Sequence, residues 1–177
     1  MSDHGNLRGF DELHRKLRYP TWASRPMGAL LDRWRFATER GAKGNIKRGP
    51  GGWLWKGGTR RSLTSERDQS TFPHWARVGS NLQTARWGEF GTGLLSEDPE
   101  ASRKRHWPPA AALEPWARAH GFGPGGGFLV ARAIGRRGGL APRRFLRDAA
   151  DASEKRIPGW LAQAGRDIEQ AASEGVR

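Results

Sequence analysis

At 177 residues the chain is long enough for one domain with a core of its own, yet only 36% of it is hydrophobic, and 25 glycines with 11 prolines predict a lean core and long connections. Its 31 basic residues against 18 acidic ones leave a net charge of +13, which predicts a negatively charged partner, and the lack of cysteine excludes disulfides and thiolate metal ligation. The opening residues MSDHGNLRGF hold no apolar stretch of signal-peptide length, and no run reaches the roughly 18 apolar residues of a membrane span, so the expectation is a soluble chain with no membrane contact.

Phe10, Leu13 and Leu17 recur on one side of a short predicted helix, with Asp11 and Glu12 in its first turn and Pro20 as its stop. A second predicted helix begins at Pro26, continues through Leu30, Leu31, Trp34 and Ala37, and ends at Gly41 and Gly44. Residues 41–58 read as an extended loop in which Trp53 and Trp55 alternate about Leu54, either as a brief strand or as an exposed aromatic segment.

Arg60–Glu66, His74–Gly79 and Thr84–Phe90 read as strands of an antiparallel sheet of three or four, with a hairpin connection around Asn81. Residues 91–109 are polar and end in Trp-Pro-Pro, which predicts an extended loop because tandem prolines cannot donate ladder hydrogen bonds. A helix over Ala111–His120 follows.

Gly121, Gly123 and Gly126 reproduce a Gly-x-Gly-x-x-Gly spacing. Here a helix precedes it, Pro124 removes a donor and no βαβ unit surrounds it, so residues 121–127 read as a flexible hinge and not as a dinucleotide loop. Phe128–Arg137 resumes helical spacing through Val130 and Ile134, and Gly138-Gly139 permits the left-handed turn that closes a helix. From Pro142 onward, Phe145, Leu146, Ala149 and Ala152, then Ile157, Leu161, Ala164, Ile168 and Ala171, predict one long amphipathic helix interrupted at Pro158-Gly159. The whole reads as a single α+β domain: a small antiparallel sheet flanked by helices, with a long kinked C-terminal helix.

Five scattered histidines show no helical zinc spacing, and no nucleophile elbow, phosphate loop or Asp-rich cluster occurs. The expectation is therefore no catalytic residue, no metal and no cofactor. Glu89 reads as a structural carboxylate that accepts backbone N–H bonds at a turn or pairs with an arginine across a subunit boundary. Gly91 and Gly93 read as positions of unusual backbone angle or close approach.

Between Arg103 and Arg147 ten basic residues face Glu114 alone. Arg132, Arg136 and Arg137 fall on one helix, with Arg143, Arg144 and Arg147 at the start of the next, so two basic helix edges can line one surface. They meet DNA phosphate without regard to sequence, or they pair with Asp148, Asp151 and Glu154 of the same or an adjacent subunit.

Val78-Gly79, Ala85 and Glu89-Phe90-Gly91-Thr92 resemble the Val-Gly-Thr, Tyr-Ala and Glu-Phe-Gly-Thr pattern of the tail-completion or neck proteins of long-tailed double-stranded DNA bacteriophages. The later run ARAIGRRGGLAPRRFLRDA, Ala131 to Ala149, resembles that family's basic helix, glycine turn and Pro-Arg-Pro-Phe-Leu helix start. GFDELHRKL and TRRSLT resemble its opening helix and its Thr-Gly-x-Leu-Arg-x-Ser strand. Ser80, Thr84 and Arg144 depart from the pattern's Thr, Tyr and second Pro.

The resemblance implies a virion structural protein at the head–tail junction, found in the host cytoplasm during assembly. It would form a homo-oligomeric ring, sixfold in the family's setting, around the DNA conduit, beside head-closure, tail-terminator or tail-tube proteins. On this reading Trp53, Trp55, Trp87, Glu89 and Phe90 are interface candidates, and Arg132, Arg136, Arg137, Arg143, Arg144 and Arg147 are candidates for non-specific contact with double-stranded DNA. The rival expectation is a basic, sequence-independent nucleic-acid-binding protein.

Overall fold

A computed structural model describes residues 21–46, 58–68, 70 and 74–174. The predicted opening helix, Trp53 and Trp55 lie outside the described residues. Helix α1, Thr21–Asn45, is longer than predicted at both ends: Pro26 sits inside it, and it runs on through Gly41 and Gly44. Glycine weakens a helix interior by about 1 kcal/mol relative to alanine. At Gly41 close packing offsets that cost, since a Cβ there would stand 3.1 Å from the Cβ of Ala149 on a neighbouring helix. The small residue lets the two helices approach.

After α1 come a short helix α2, Gly58–Ser62, strand β1, Thr64–Asp68, and strand β2, Trp75–Gly79. The predicted strand over Arg60–Glu66 is thus half helix. β1 and β2 form an antiparallel hairpin in which Glu66 stands opposite Arg77 and pairs with it. At the end of β1 the Asp68 carboxylate accepts the Ser70 N–H at 2.7 Å. The hairpin rests on α1, where Arg35 donates to the Ser65 carbonyl at 3.3 Å. Glu39 of α1 accepts from the Ser65 hydroxyl at 2.5 Å. Burial pushes the Glu39 carboxyl up, but hydrogen bonds from Lys43 and Ser65 and the Lys43 and Arg35 charges together hold it below its ordinary value.

Thr84–Phe90 is not a strand. Gln83–Phe90 forms helix α3, so Asn81 leads from β2 into a helix and is no hairpin connection. The alternation of Ala85, Trp87 and Glu89 misleads because 85 and 89 are also four apart. Ala85, Gly88 and Glu89 make the buried stripe of a helix, while Trp87 falls off it and is 42% exposed.

β3, Thr92–Gly93, and a 3-10 turn, Ala101–Arg103, interrupt the loop that follows. Then come α4, Ala110–Ala119, α5, Gly126–Arg137, and β4, Gly139–Leu140. β3 and β4 pair antiparallel, Thr92 with Leu140 and Gly93 with Gly139. Among the described residues the sheet content is therefore two separate two-stranded pairs, not one sheet of three or four strands.

The glycine run between α4 and α5 is a fastened corner and no open hinge. Gly126 and Gly127 are buried, and the Glu114 carboxylate accepts the N–H groups of Gly125 at 3.1 Å and Gly127 at 2.8 Å. Those two bonds, the Gly127 one foremost, hold the Glu114 carboxyl below its ordinary value. At the far end of α5, Gly138 takes the left-handed conformation at φ 92° and closes the helix as expected.

The C-terminal stretch is interrupted as expected, dividing into α6, Phe145–Glu154, and α7, Ile157–Glu174. The break falls at Lys155-Arg156, ahead of the predicted point. Pro158 lies in the first turn of α7, where its missing N–H has no intrahelical acceptor to lose. Both helices pack on α1. The core gathers Ala42 of α1 and Ile46 just after it with Leu63, Ala85, Phe145 and Ala149, and Leu146 packs against it. Phe145 is 2% exposed, and Asn45 donates to its carbonyl at 3.0 Å. The fold is α+β.

Candidate functional site

A densely bonded junction joins the end of α3 to the start of α6. α6 has no side-chain cap of its own: Arg144 occupies the cap position with φ 50° and ψ 27°, leaving the first N–H groups of the helix without a local acceptor. Glu89 supplies one from α3. Its carboxylate, on a residue only 4% exposed, accepts the N–H of Leu146 at 2.8 Å and of Arg147 at 3.0 Å, placing negative charge at the positive end of the helix. The Arg147 side chain closes the loop by donating Nε to the same carboxylate at 3.0 Å.

Arg147 also pairs with Glu97 at 2.5 Å, and Arg144 reaches Glu97 at 3.8 Å. Burial disfavours the Arg147 charge, yet the hydrogen bonds and charges of Glu89 and Glu97 raise its pKa above the ordinary arginine value. The left-handed backbone at Arg144 excludes proline from this position, because a proline ring holds φ near −65°.

Backbone bonds complete the clasp: Arg143 N–H donates to the Gly88 carbonyl at 2.8 Å, and Leu140 N–H to the Thr92 hydroxyl at 3.0 Å. Gly91, at φ 78°, passes so close to Leu140 and Pro142 that a Cβ would stand 2.6 Å from the Leu140 carbonyl oxygen. At Gly93 a Cβ would meet the Gly138 carbonyl and the His106 N–H. Both glycines serve close approach, as their place in the sequence predicts.

The clasp consumes some predicted site residues and leaves others free. Glu89 is spent inside the chain. Phe90 lies under Arg147, whose guanidinium carbon is 5.0 Å from the ring centroid. Trp87 stands at the surface with its ring centroid 6.1 Å from that of His106. Arg132, Arg136, Arg137 and Arg143 are exposed and make no ion pair among the described residues, unlike Arg144 and Arg147. Asp148, Asp151 and Glu154 are exposed too, and none of them pairs with these arginines within the described chain.

Residues the sequence reading passed over stand beside the same edge. Arg105 donates to the carbonyls of Gly135 at 3.3 Å and Arg136 at 3.0 Å, a cation at the negative end of α5. The Trp107 indole lies flat against Gly135: a methyl group there would collide with ring atoms Cδ2, Cε2 and Cε3. Its Trp-Pro-Pro setting marked only a loop, and the glycine facing it gave no local signal.

Among the described residues no group of three or more His, Asp or Glu side chains could hold a metal ion, and no helix is long and apolar enough to cross a membrane. Comparison of the chain with protein-family models, with curated proteins and with solved structures finds no match.

Proposed function

We propose that this chain is a virion structural protein at the head–tail junction of a long-tailed double-stranded DNA bacteriophage, where copies close into a ring about the DNA conduit. One observation carries the reading: the Glu89 clasp fastens together the two stretches that bear the resemblance, Val78–Thr92 and Ala131–Ala149. Motif residues that hold each other in place explain a recurring pattern without a reaction. The exposed rim beside the clasp, with Trp87, Leu94 and Leu140 each more than a third exposed, supports a contact surface for neighbouring copies or other neck and tail proteins. Rotational repetition of such a contact closes into a ring, with six copies as the expected number.

Arg132, Arg136, Arg137 and Arg143 would then meet duplex phosphate loosely enough for DNA to slide, with an affinity that falls steeply with salt. Because these four side chains have no carboxylate partner within the described chain, they also favour the second reading, a basic nucleic-acid-binding protein that acts alone.

Mass measurement of the purified chain combined with titration of labelled duplex at rising salt separates the two. Ring-sized particles with weak duplex binding support the neck reading; a monomer with nanomolar binding at physiological salt supports the other. A map of the intact virion without this chain at the portal-to-tube joint overturns the first.

A further inference from the structure

We propose that Trp107 and the arginines beside it form a stacking platform for single-stranded nucleic acid. Trp107 is 57% exposed, yet its ring is held in place. One face is seated on the backbone of Gly135. Two residues earlier, Arg105 grips the Gly135 and Arg136 carbonyls, and the intervening His106 N–H donates to the Gly138 carbonyl at 3.1 Å. Pro108 and Pro109 stiffen the chain immediately after. An indole backed by protein and open in front is a plate already positioned for a flat ligand.

Its neighbours select the class of ligand. Arg132 stands three residues before Gly135 and so shares its helix face, Arg136 follows it directly, and Arg105 lies at the helix end. Arg132 and Arg136 are exposed and without carboxylate partners among the described residues. Glu97 and Glu100 are paired with Arg147 and Arg103 instead. Guanidinium groups flanking an aromatic face match a phosphodiester chain with one base laid on the ring, a combination that single-strand binders use without reading sequence. Duplex DNA hides its base faces in the stack, so it would meet the arginines and leave the indole idle.

The proposal shares with the reading above only the phosphate contacts of Arg132 and Arg136, and it does not depend on where in a virion the chain resides. Its test is fluorescence anisotropy of the full chain with a labelled thymidine oligonucleotide of about 20 residues and a duplex of the same length, each at several salt concentrations. Wild type should bind the single strand more tightly. Trp107→Ala should weaken single-strand binding about tenfold and leave duplex binding within about twofold. Trp107→Phe should retain most of the affinity, whereas Trp107→Leu, which refills the space over Gly135 but cannot stack, should resemble the alanine variant. The Arg132→Ala, Arg136→Ala double variant should weaken both ligands and flatten the salt dependence.

Equal affinity of wild type for the two ligands, or unchanged single-strand binding in Trp107→Ala and Trp107→Leu, overturns the platform. If those Trp107 changes spare binding but lower the particle mass, the ring belongs to a contact between copies and the proposal fails in favour of that interface. If the arginine variant loses binding to both ligands while every Trp107 variant binds the single strand as wild type does, the platform is overturned while the phosphate contact of the neck reading stands.

Discussion

Glu89 and Arg147 lie 58 residues apart and share a 3.0 Å charge-assisted hydrogen bond in which the same carboxylate also receives the Arg147 backbone N–H. A side chain from one helix thus caps the start of another while gripping that helix's own arginine. Glu89→Ala should cost about 3 kcal/mol, because it strands two helix N–H groups and removes one of the two carboxylates that pair with the Arg147 guanidinium, leaving it Glu97. Glu89→Gln should also destabilise, since its amide can turn a donor toward groups that need an acceptor. Arg147→Ala should cost less, as Glu89 keeps both backbone donors. Denaturant unfolding of the single and double variants measures the coupling, and strictly additive effects would show that the pair is not a unit.

Phe145 opens α6 with its ring in the core. Phe145→Ala should lower stability by about 3 kcal/mol or more, from lost transfer energy and an unfilled cavity. An unchanged melting temperature would contradict its placement against Ile46 and Leu63.

The Glu114 carboxyl titrates below its ordinary value in the folded chain, so it favours the fold wherever it is ionised. That contribution is complete above the unfolded value near 4.5 and fades as pH falls through the lower folded value. Wild type should therefore lose more melting temperature than Glu114→Gln on acidification from about pH 5 to about pH 3. Parallel curves for the two proteins would remove Glu114 from the acid response.

Trp87 is a surface residue of α3, not part of its buried stripe. Trp87→Asp should leave the monomer's melting temperature within about 1 kcal/mol equivalent of wild type, in line with other surface changes, while reducing particle assembly. Equal loss of folding and assembly would return the ring to the core.

A methyl group at Gly93 would strike the backbone of both Gly138 and His106, neither of which is a flexible side-chain end. Gly93→Ala should therefore cost about 3 kcal/mol through displaced backbone. Circular dichroism and melting measure it, and a neutral result would mean that the β3–β4 junction is looser than its hydrogen bonds indicate.

Where a segment's own spacing admits one period, the sequence by itself determined the outcome. The α4 helix, the β2 strand, the glycine cap at Gly138 and the buried ring of Phe145 follow from local pattern and backbone preference. Tertiary structure alone decided the rest. Gln83–Phe90 fits both a strand and a helix at eight residues, and only burial of Ala85, Gly88 and Glu89 against distant partners selects the helix. α1 outruns its glycines because Ala149 is there to pack on Gly41. The basic cluster divides into bound and unbound arginines because Glu89 and Glu97 reach Arg144 and Arg147 but not Arg132 or Arg136. Composition sets how much positive charge the chain carries; which of it remains available to a partner depends on contacts between residues far apart in sequence, and no local pattern encodes those.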